Sequence, residues 1–322
     1  MATLTLYEIQ NARISAGASP LEQAFYSGIM MSELNPMLPF KTVDNGADVF
    51  GIEDELPGAE PRLFNEANDD SLGNVRTETE VTKIYGKDIK TDMALINRFG
   101  MDRHLVQVNL YIKALRLRIE RDFIKGGTVG ERAAAEFDGL EKRLTVGSSQ
   151  CIANASGSGG ALSLDKLDDL LRAVDVPATD KILIMGQKMA QRLGQTVRNG
   201  SVAGSIDQRM DEFGRQAEYY NSVKIVKTDV DNKNVAIQGF TEASNTTSIY
   251  CVALGEGLVS CIQGRSMNES RELQDGLVVY DVGESTSTPH FITRMNWDVG
   301  MAIKNKRAAA RLFNVTDAPA VA

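Results

Sequence analysis

The chain holds 322 residues, 43% of them apolar and 24% charged, the composition of an ordinary globular protein, which excludes a disordered or fibrous chain. Its mean hydropathy is -0.20, and no stretch approaches the roughly 18 apolar residues that a membrane-spanning helix requires. With 35 basic against 43 acidic residues the net charge is -8, which argues against a protein that grips nucleic acid through its whole surface.

By length this is about two domains of ordinary size or one large elaborate one. Met1 to Gln10 has no early Lys or Arg, no apolar core and no small-residue cleavage site, so no secretory signal is expected. Asn-x-Ser/Thr at Asn154, Asn199, Asn245, Asn268 and Asn314 then reads as chance. Cys151, Cys251 and Cys261 have no partner at CxxC spacing and read as reduced thiols of a cytoplasmic product.

The acid is concentrated. Between Lys41 and Glu80 eleven acids face only Lys41, Arg62 and Arg76, a local charge that equals the net charge of the whole chain. Phe40 to Phe50 is strand-like, and Val75, Thr77, Thr79 and Val81 alternate with Arg76, Glu78, Glu80 and Thr82, the period of two of a strand. Between them Gly51 to Gly73 is polar and punctuated by Pro57, Gly58 and Pro61. These features predict a long two-stranded excursion with an acidic tip, projecting from the body; the alternative is a solvated surface loop. Long loops without structure of their own are uncommon in compact domains and are usually functional or disordered. An acidic arm wants a basic acceptor, so intermolecular docking is expected, with Glu53, Asp54, Glu55, Arg62, Glu66, Asp69 and Asp70 as candidate residues.

From Met101 to Lys125 there is no Gly or Pro. Leu105, Val108, Ile112, Leu115, Ile119 and Phe123 recur at steps of three and four, and Leu110, Leu117 and Ile124 mark a second stripe. A helix of about 38 Å, covered on more than one side, is predicted. Its C-terminal half carries Lys113, Arg116, Arg118, Arg121 and Lys125, of which Arg116, Arg118 and Arg121 are the candidate acceptor for the arm, against the plainer reading of a solvated charged face. Gly126 and Gly127 end the helix.

Thr145 to Gly160 is small and polar, and Gly157, Gly159 and Gly160 do not fit a phosphate-binding loop, so a linker or surface loop is expected. An α/β block follows. Ser163 is placed to cap a helix Leu164 to Val174, with Leu164, Leu167, Leu171 and Val174 on one face. Lys181 to Met185 reads as a buried strand, Gln187 to Val197 as a helix, and Asn199 to Gly214 as a loop. Strand-like runs at 223–227, 235–240, 248–254, 258–263, 277–282 and 290–297 suggest a meandering antiparallel sheet. Asp229, Asp231, Asn232 and Asn234 lack the Gly and Glu of a calcium loop and read as a hairpin turn.

His104 and His290 have no His or Cys at metal-ligand spacing, and there is no GxSxG, HExxH or P-loop. Trp297 reads as a core anchor. With no catalytic constellation, no cofactor and no metal site in view, the residues favour a structural protein over an enzyme.

The order of these parts resembles the major capsid proteins of tailed bacteriophages, the HK-ninety-seven-type fold that encapsulin shells also use. The segment PLEQAFYSGIMMSELNPMLPFKTV (residues 20–43) looks like the family's N-arm, and ELPGAEPRLFNE (55–66) is similar to a loop-tip pattern of a related subgroup. KIYGKDIKTDMALI (83–96) looks like the return into the body; the helix from Met101 resembles the spine helix, and DFIKGG with FDGLEKRL (137–144) is similar to the family's Gly-rich close. The resemblance implies an α+β fold with an N-arm (1–40), a long β-hairpin E-loop (41–85), a P-domain with the spine helix (86–146 and 283–322), and an A-domain with a mixed sheet and flanking helices (147–282). It also implies hexamers and pentamers that close, in the bacterial host's cytoplasm, into an icosahedral virion shell around double-stranded DNA. The DNA would be held without sequence-specific binding, behind an acidic wall that repels phosphate. No membrane is involved, and scaffolding, portal and decoration proteins are possible separate partners. Val43 to Thr82 contains no lysine, so a shell without covalent cross-links is expected. The alternatives are an encapsulin-like nanocompartment and, from another class, a cytosolic α/β enzyme with an acidic lid loop.

Overall fold

The computed structural model describes residues 4–5, 8–9, 11, 20–29, 31–67, 70–128, 133–198, 206–210, 216–228, 230–267 and 273–321. The chain enters through β1 (Leu4–Thr5), a helix Pro20–Ile29 and β2 (Pro39–Val43). A hairpin of β3 (Ala47–Glu55) and β4 (Asn74–Val81) leads into β5 (Lys83–Asp92), a short helix Met93–Phe99 and the long helix Asp102–Lys125. After a one-turn helix Leu140–Arg143 come β6 (Cys151–Ala153), a helix Leu164–Ala173, β7 (Lys181–Gly186) and a helix Gln187–Arg198. The strands β8 (Ile206–Met210), β9 (Gln216–Tyr220), β10 (Val223–Thr228), β11 (Thr247–Ala253), β12 (Val259–Met267), β13 (Leu273–Asp275), β14 (Val278–Glu284), β15 (His290–Ile303) and β16 (Ala309–Val315) complete it.

Two large sheets organise the body. The first runs β1-β2-β12-β15-β14, with β13 on β12 and β5 along the other side of β15. The second runs β6-β16-β11-β7-β10-β9-β8 and is mixed: β7 and β10 are parallel, while β11 is antiparallel to both β7 and β16. The expected single antiparallel meander is thus divided between two sheets. The sheets also interleave along the chain, since β12 to β14 join the first and β16 the second, so the expected boundary at 282/283 cuts across both.

Alternation along β15 gives the first sheet its two faces. Thr293, Met295, Trp297, Val299 and Met301 are buried on one side, where the long helix lies with Val108, Ile112, Leu115, Ile119 and Phe123 inward. Trp297 is the anchor there, edge-on to Phe25 of the N-terminal helix at 5.4 Å and stacked on Phe40 at 5.5 Å. Burying each of these large side chains contributes about 1.5–3 kcal/mol. The helix is covered on two sides only in its C-terminal half. There Leu117 and Ile124 are buried, whereas Leu105 and Leu110, expected inside, are exposed.

The Gly-rich close has a steric reason. Gly139 donates its N–H to the Gly126 carbonyl at 3.0 Å, and a Cβ on Gly139 would stand 2.5 Å from the Asp122 carbonyl oxygen. Two backbone segments touch there, and only hydrogen fits between them.

Other expectations shift. Residues 235–240 form no strand beyond a bridge between Val230 and Ala236. The Asp231 carboxylate instead accepts from the N–H groups of Lys233 and Val235, a tight Asx turn that agrees with the turn reading; Asp229 lies outside the described residues. Within the expected loop 199–214, residues 206–210 pair as β8 with β9, and β16 was not anticipated at all. Ser163 occupies the helix N-cap without a side-chain cap bond; its N–H instead donates to Asn154 Oδ1 at 2.9 Å.

His104 is buried between helix and sheet, its Nδ1 2.9 Å from Thr91 Oγ1 and its Nε2 2.7 Å from Thr293 Oγ1. Burial holds its pKa below the ordinary 6.5, although Asp281 pulls the other way.

Two outcomes follow from these contacts. Gly139→Ala forces a methyl group into backbone and is expected to cost about 1–3 kcal/mol in chemical denaturation; an unchanged midpoint would contradict the close-contact account. For His104, the unfolded chain takes up a proton below pH 6.5 that the folded state declines, so stability falls as pH drops through that value. The slope is at most about 1.4 kcal/mol per pH unit. His104→Gln, which keeps a donor and an acceptor for the two threonines, should flatten this slope when melting is followed from pH 7.5 to 5.

Candidate assembly surfaces

The hairpin arm is built by direct antiparallel pairing, Asp48 opposite Glu80, Phe50 opposite Glu78 and Ile52 opposite Arg76. These residues form the face that lies on the body. Phe50 packs on Val43, Ile262 and Ala302, which belong to the first sheet's face away from the long helix. Asp48 is buried between Lys41, at 2.7 Å, and Lys304, at 3.1 Å. Burial opposes its charge, yet the two ammonium groups hold its carboxyl below the usual range. Arg143 reaches Glu80 at 2.5 Å and Lys306 pairs with Asp54. The arm's lower half is therefore pinned to the body and does not project freely.

Five of the arm's eleven acids are paired with this chain's own bases. Besides Asp48, Asp54 and Glu80, Asp44 pairs with Arg265 at 3.0 Å and Glu78 with Arg76 at 2.5 Å. Glu53, Glu55, Glu60 and Asp70 have no ion-pair partner among the described residues, and Asp69 lies outside them. Arg62 and Glu66 are exposed, and both bond within the turn. Arg62 donates to the Glu66 carbonyl at 2.7 Å, and the Glu66 carboxylate accepts the Leu63 N–H at 2.8 Å. With Asn65 at φ 66° they close a self-bonded turn.

That turn displays what the charge count hides. Leu63 is 77% exposed and Phe64 102%, and Leu56 and Leu72, near the two ends of the loop in sequence, are also bare. These four side chains make the tip an apolar knob in a loop that also carries acids. The signal was present in the sequence, as four large apolar residues in a loop otherwise polar.

The basic residues of the long helix lie elsewhere. Arg118 Nε donates to Asp122 at 2.8 Å and the same guanidinium pairs with Glu136; Arg121 bonds Asp122 at 2.6 Å and Glu136 at 3.1 Å. Tyr85 of β5 donates its hydroxyl to Asp122 at 2.8 Å, and Gly127 N–H donates to Glu136 at 3.0 Å. Burial pushes Asp122 upward, against the pull of Arg118, and the network ties helix end, sheet and the turn after it together. Arg116 lines a cleft with Ser32, Glu33 and Glu120. The arm and this helix occupy opposite faces of the sheet within one chain, so any contact between the two expected partner sets is one between chains.

A groove of about 980 Å³ lies between the helix Gln187–Arg198 and the β8/β9 hairpin. Its polar groups serve one another, Thr228 bonding Gln238 at 2.8 Å and Lys227 pairing Glu218 at 3.1 Å. Among the described residues no cluster of three His, Cys, Asp or Glu could hold a metal, and no helix is long and apolar enough to cross a membrane.

No family model and no curated protein matches the chain. Solved structures do, over nearly its whole length. The SrpI encapsulin of Synechococcus elongatus PCC 7942 is 17% identical, covers 97% of each chain and superposes with a TM-score of 0.61. The capsid of a native GTA particle is 14% identical over 88% of this chain and 90% of that one, TM-score 0.60. The cyanophage A-1(L) capsid is 11% identical over 90% and 93%, TM-score 0.59. The chain has the α+β fold of these capsid and encapsulin shells, the HK-ninety-seven-type fold.

The charge network yields a test. Asp122→Ala takes one of two carboxylate partners from each guanidinium, Glu136 remaining, and leaves the partly buried Tyr85 hydroxyl without its acceptor; the expected cost is about 1–3 kcal/mol. Urea denaturation reads this directly, and a loss under about 1 kcal/mol would show the network to be dispensable.

Proposed function

We propose that this chain is a structural shell protein, the major capsid protein of a tailed phage, assembling into hexamers and pentamers of an icosahedral shell around double-stranded DNA. One observation carries the reading beyond the fold. The arm ends in a preorganised apolar knob that its own chain leaves uncovered, on a molecule whose whole length follows the shell proteins. A bare Phe and three Leu are costly to leave in water, and large exposed apolar patches mark contact sites. Copies in a closed shell supply the cover, repeated by symmetry.

The arm rests on the sheet face away from the long helix, and it reaches the same face of a neighbour. There Ile84 is bare and Lys90 stands exposed on the edge strand β5, an apolar and cationic complement to a knob on an arm that carries Glu53, Glu55, Glu60 and Asp70. This replaces Arg116, Arg118 and Arg121 as the acceptor. Contacts are non-covalent, since the arm has no lysine between Val43 and Thr82. The protein works without catalysis or cofactor, is assembled in the host cytoplasm and resides in the virion. Its domains follow the two sheets, the first with the long helix as the P-domain and the second as the A-domain.

The encapsulin reading is the same architecture with different contents, and the SrpI shell, matched over 97% of both chains, keeps it in play. Purified particles decide between them by whether they hold DNA or a protein cargo. For shell formation itself, Leu63→Glu with Phe64→Glu should leave folding stability unchanged, because both side chains are exposed. It should also abolish closed particles in negative stain, each lost apolar contact being worth about 1.5–3 kcal/mol. Intact shells from this variant would remove the docking role of the knob.

A further inference from the structure

The long helix carries a second uncovered surface, on the side of the sheet away from the arm. His104, Val108 and Ile112 face the sheet, while Leu105, Val106 and Leu110 are all more than two-fifths exposed. Arg103, Val106, Leu110 and Lys113 recur at steps of three, four and three, so they form one straight stripe along about 15 Å of helix. Arg103 stacks over Phe99 of the preceding short helix, 4.9 Å from the ring centroid, and Phe99 and Leu95 extend the bare surface in that direction. Arg98, Arg103 and Lys113 have no ion-pair partner among the described residues.

Spacing and charge together select the occupant. Steps of three and four with apolar centres are the seam that a second helix packs into. Two copies of this stripe do not suit each other. Antiparallel pairing sets Arg103 against Lys113, parallel pairing sets each cation against its own copy, and both arrangements repel. Under the shell reading, a neighbour's arm lies on the other face of the sheet and does not reach the helix. We infer that the stripe docks an amphipathic helix with acidic flanks that belongs to a separate protein chain. Its apolar seam would cover Val106, Leu110 and Phe99, and its carboxylates would meet Arg98, Arg103 and Lys113.

The test uses the intact chain and a fluorescent three-heptad synthetic peptide with Leu at the a and d positions and Glu at e and g. A scrambled peptide of identical composition is the control. Fluorescence anisotropy should show saturable binding of the heptad peptide that weakens with added salt. Affinity should fall at least about tenfold for a Val106→Glu/Leu110→Glu variant, since both centres of the seam are lost. The same variant should still close shells, because the inference places no copy of this chain on the stripe. Equal binding of the scrambled peptide, or no binding, would overturn it. Loss of shells in the Val106→Glu/Leu110→Glu variant would overturn it too, making the stripe a contact between copies. If the unmodified chain never forms shells, the shell reading fails by itself, and the peptide titration still decides this inference.

Discussion

Strand β15 has fourteen residues, and the rest of the body is arranged by which way each of them points. Its odd-numbered side chains, from Thr293 to Met301, are covered by the long helix and the N-terminal helix, with Trp297 between Phe25 and Phe40. Its even-numbered positions, with Ala302 beside Ile262, support the base of the arm through Phe50. A slip of one residue in register would exchange the two faces and place Arg294 and Asp298 in the helix core. The same alternation separates two uncovered surfaces. The apolar knob of the arm belongs to one side of the sheet, and the basic apolar stripe of the helix to the other.

Electrostatics in this chain fix positions more than they attract partners. Asp48 between Lys41 and Lys304, and Glu80 against Arg143, set the angle at which the arm leaves the body. Asp122 and Glu136 spend Arg118 and Arg121 on holding the end of the long helix. What remains for neighbours is a few acids and large apolar side chains. Such contacts gain most of their free energy from burial and their register from charge.

Much of this was legible from residues alone. The alternation in β4, the Gly-free run of the long helix, and the buried runs of β7 and β11 are local signals, and each lies where its period indicated. The loss came where a partner far along the chain decides the outcome. Arm acids look free until Arg265, Lys304 and Lys306 fold back onto them. Ala309 to Val315 has weak strand propensity and becomes β16 only because β11 offers it an edge. The long helix has two apolar stripes in sequence, but nothing in the pattern tells that its first half meets only the sheet. The order of parts carried the fold, whereas a count of net charge does not tell that Asp54 pairs with Lys306, or Arg118 and Arg121 with Asp122 and Glu136.

The central claim is that arms and long helices occupy opposite surfaces of a wall made of many copies. An electron cryomicroscopy reconstruction of purified particles tests it most directly. The account predicts closed shells in which each Phe64 knob rests on a neighbour's sheet face near Ile84 and Lys90, with the helix stripes on the other surface and clear of every arm. Knobs seated on the helices, or particles that never progress beyond small oligomers, would contradict it.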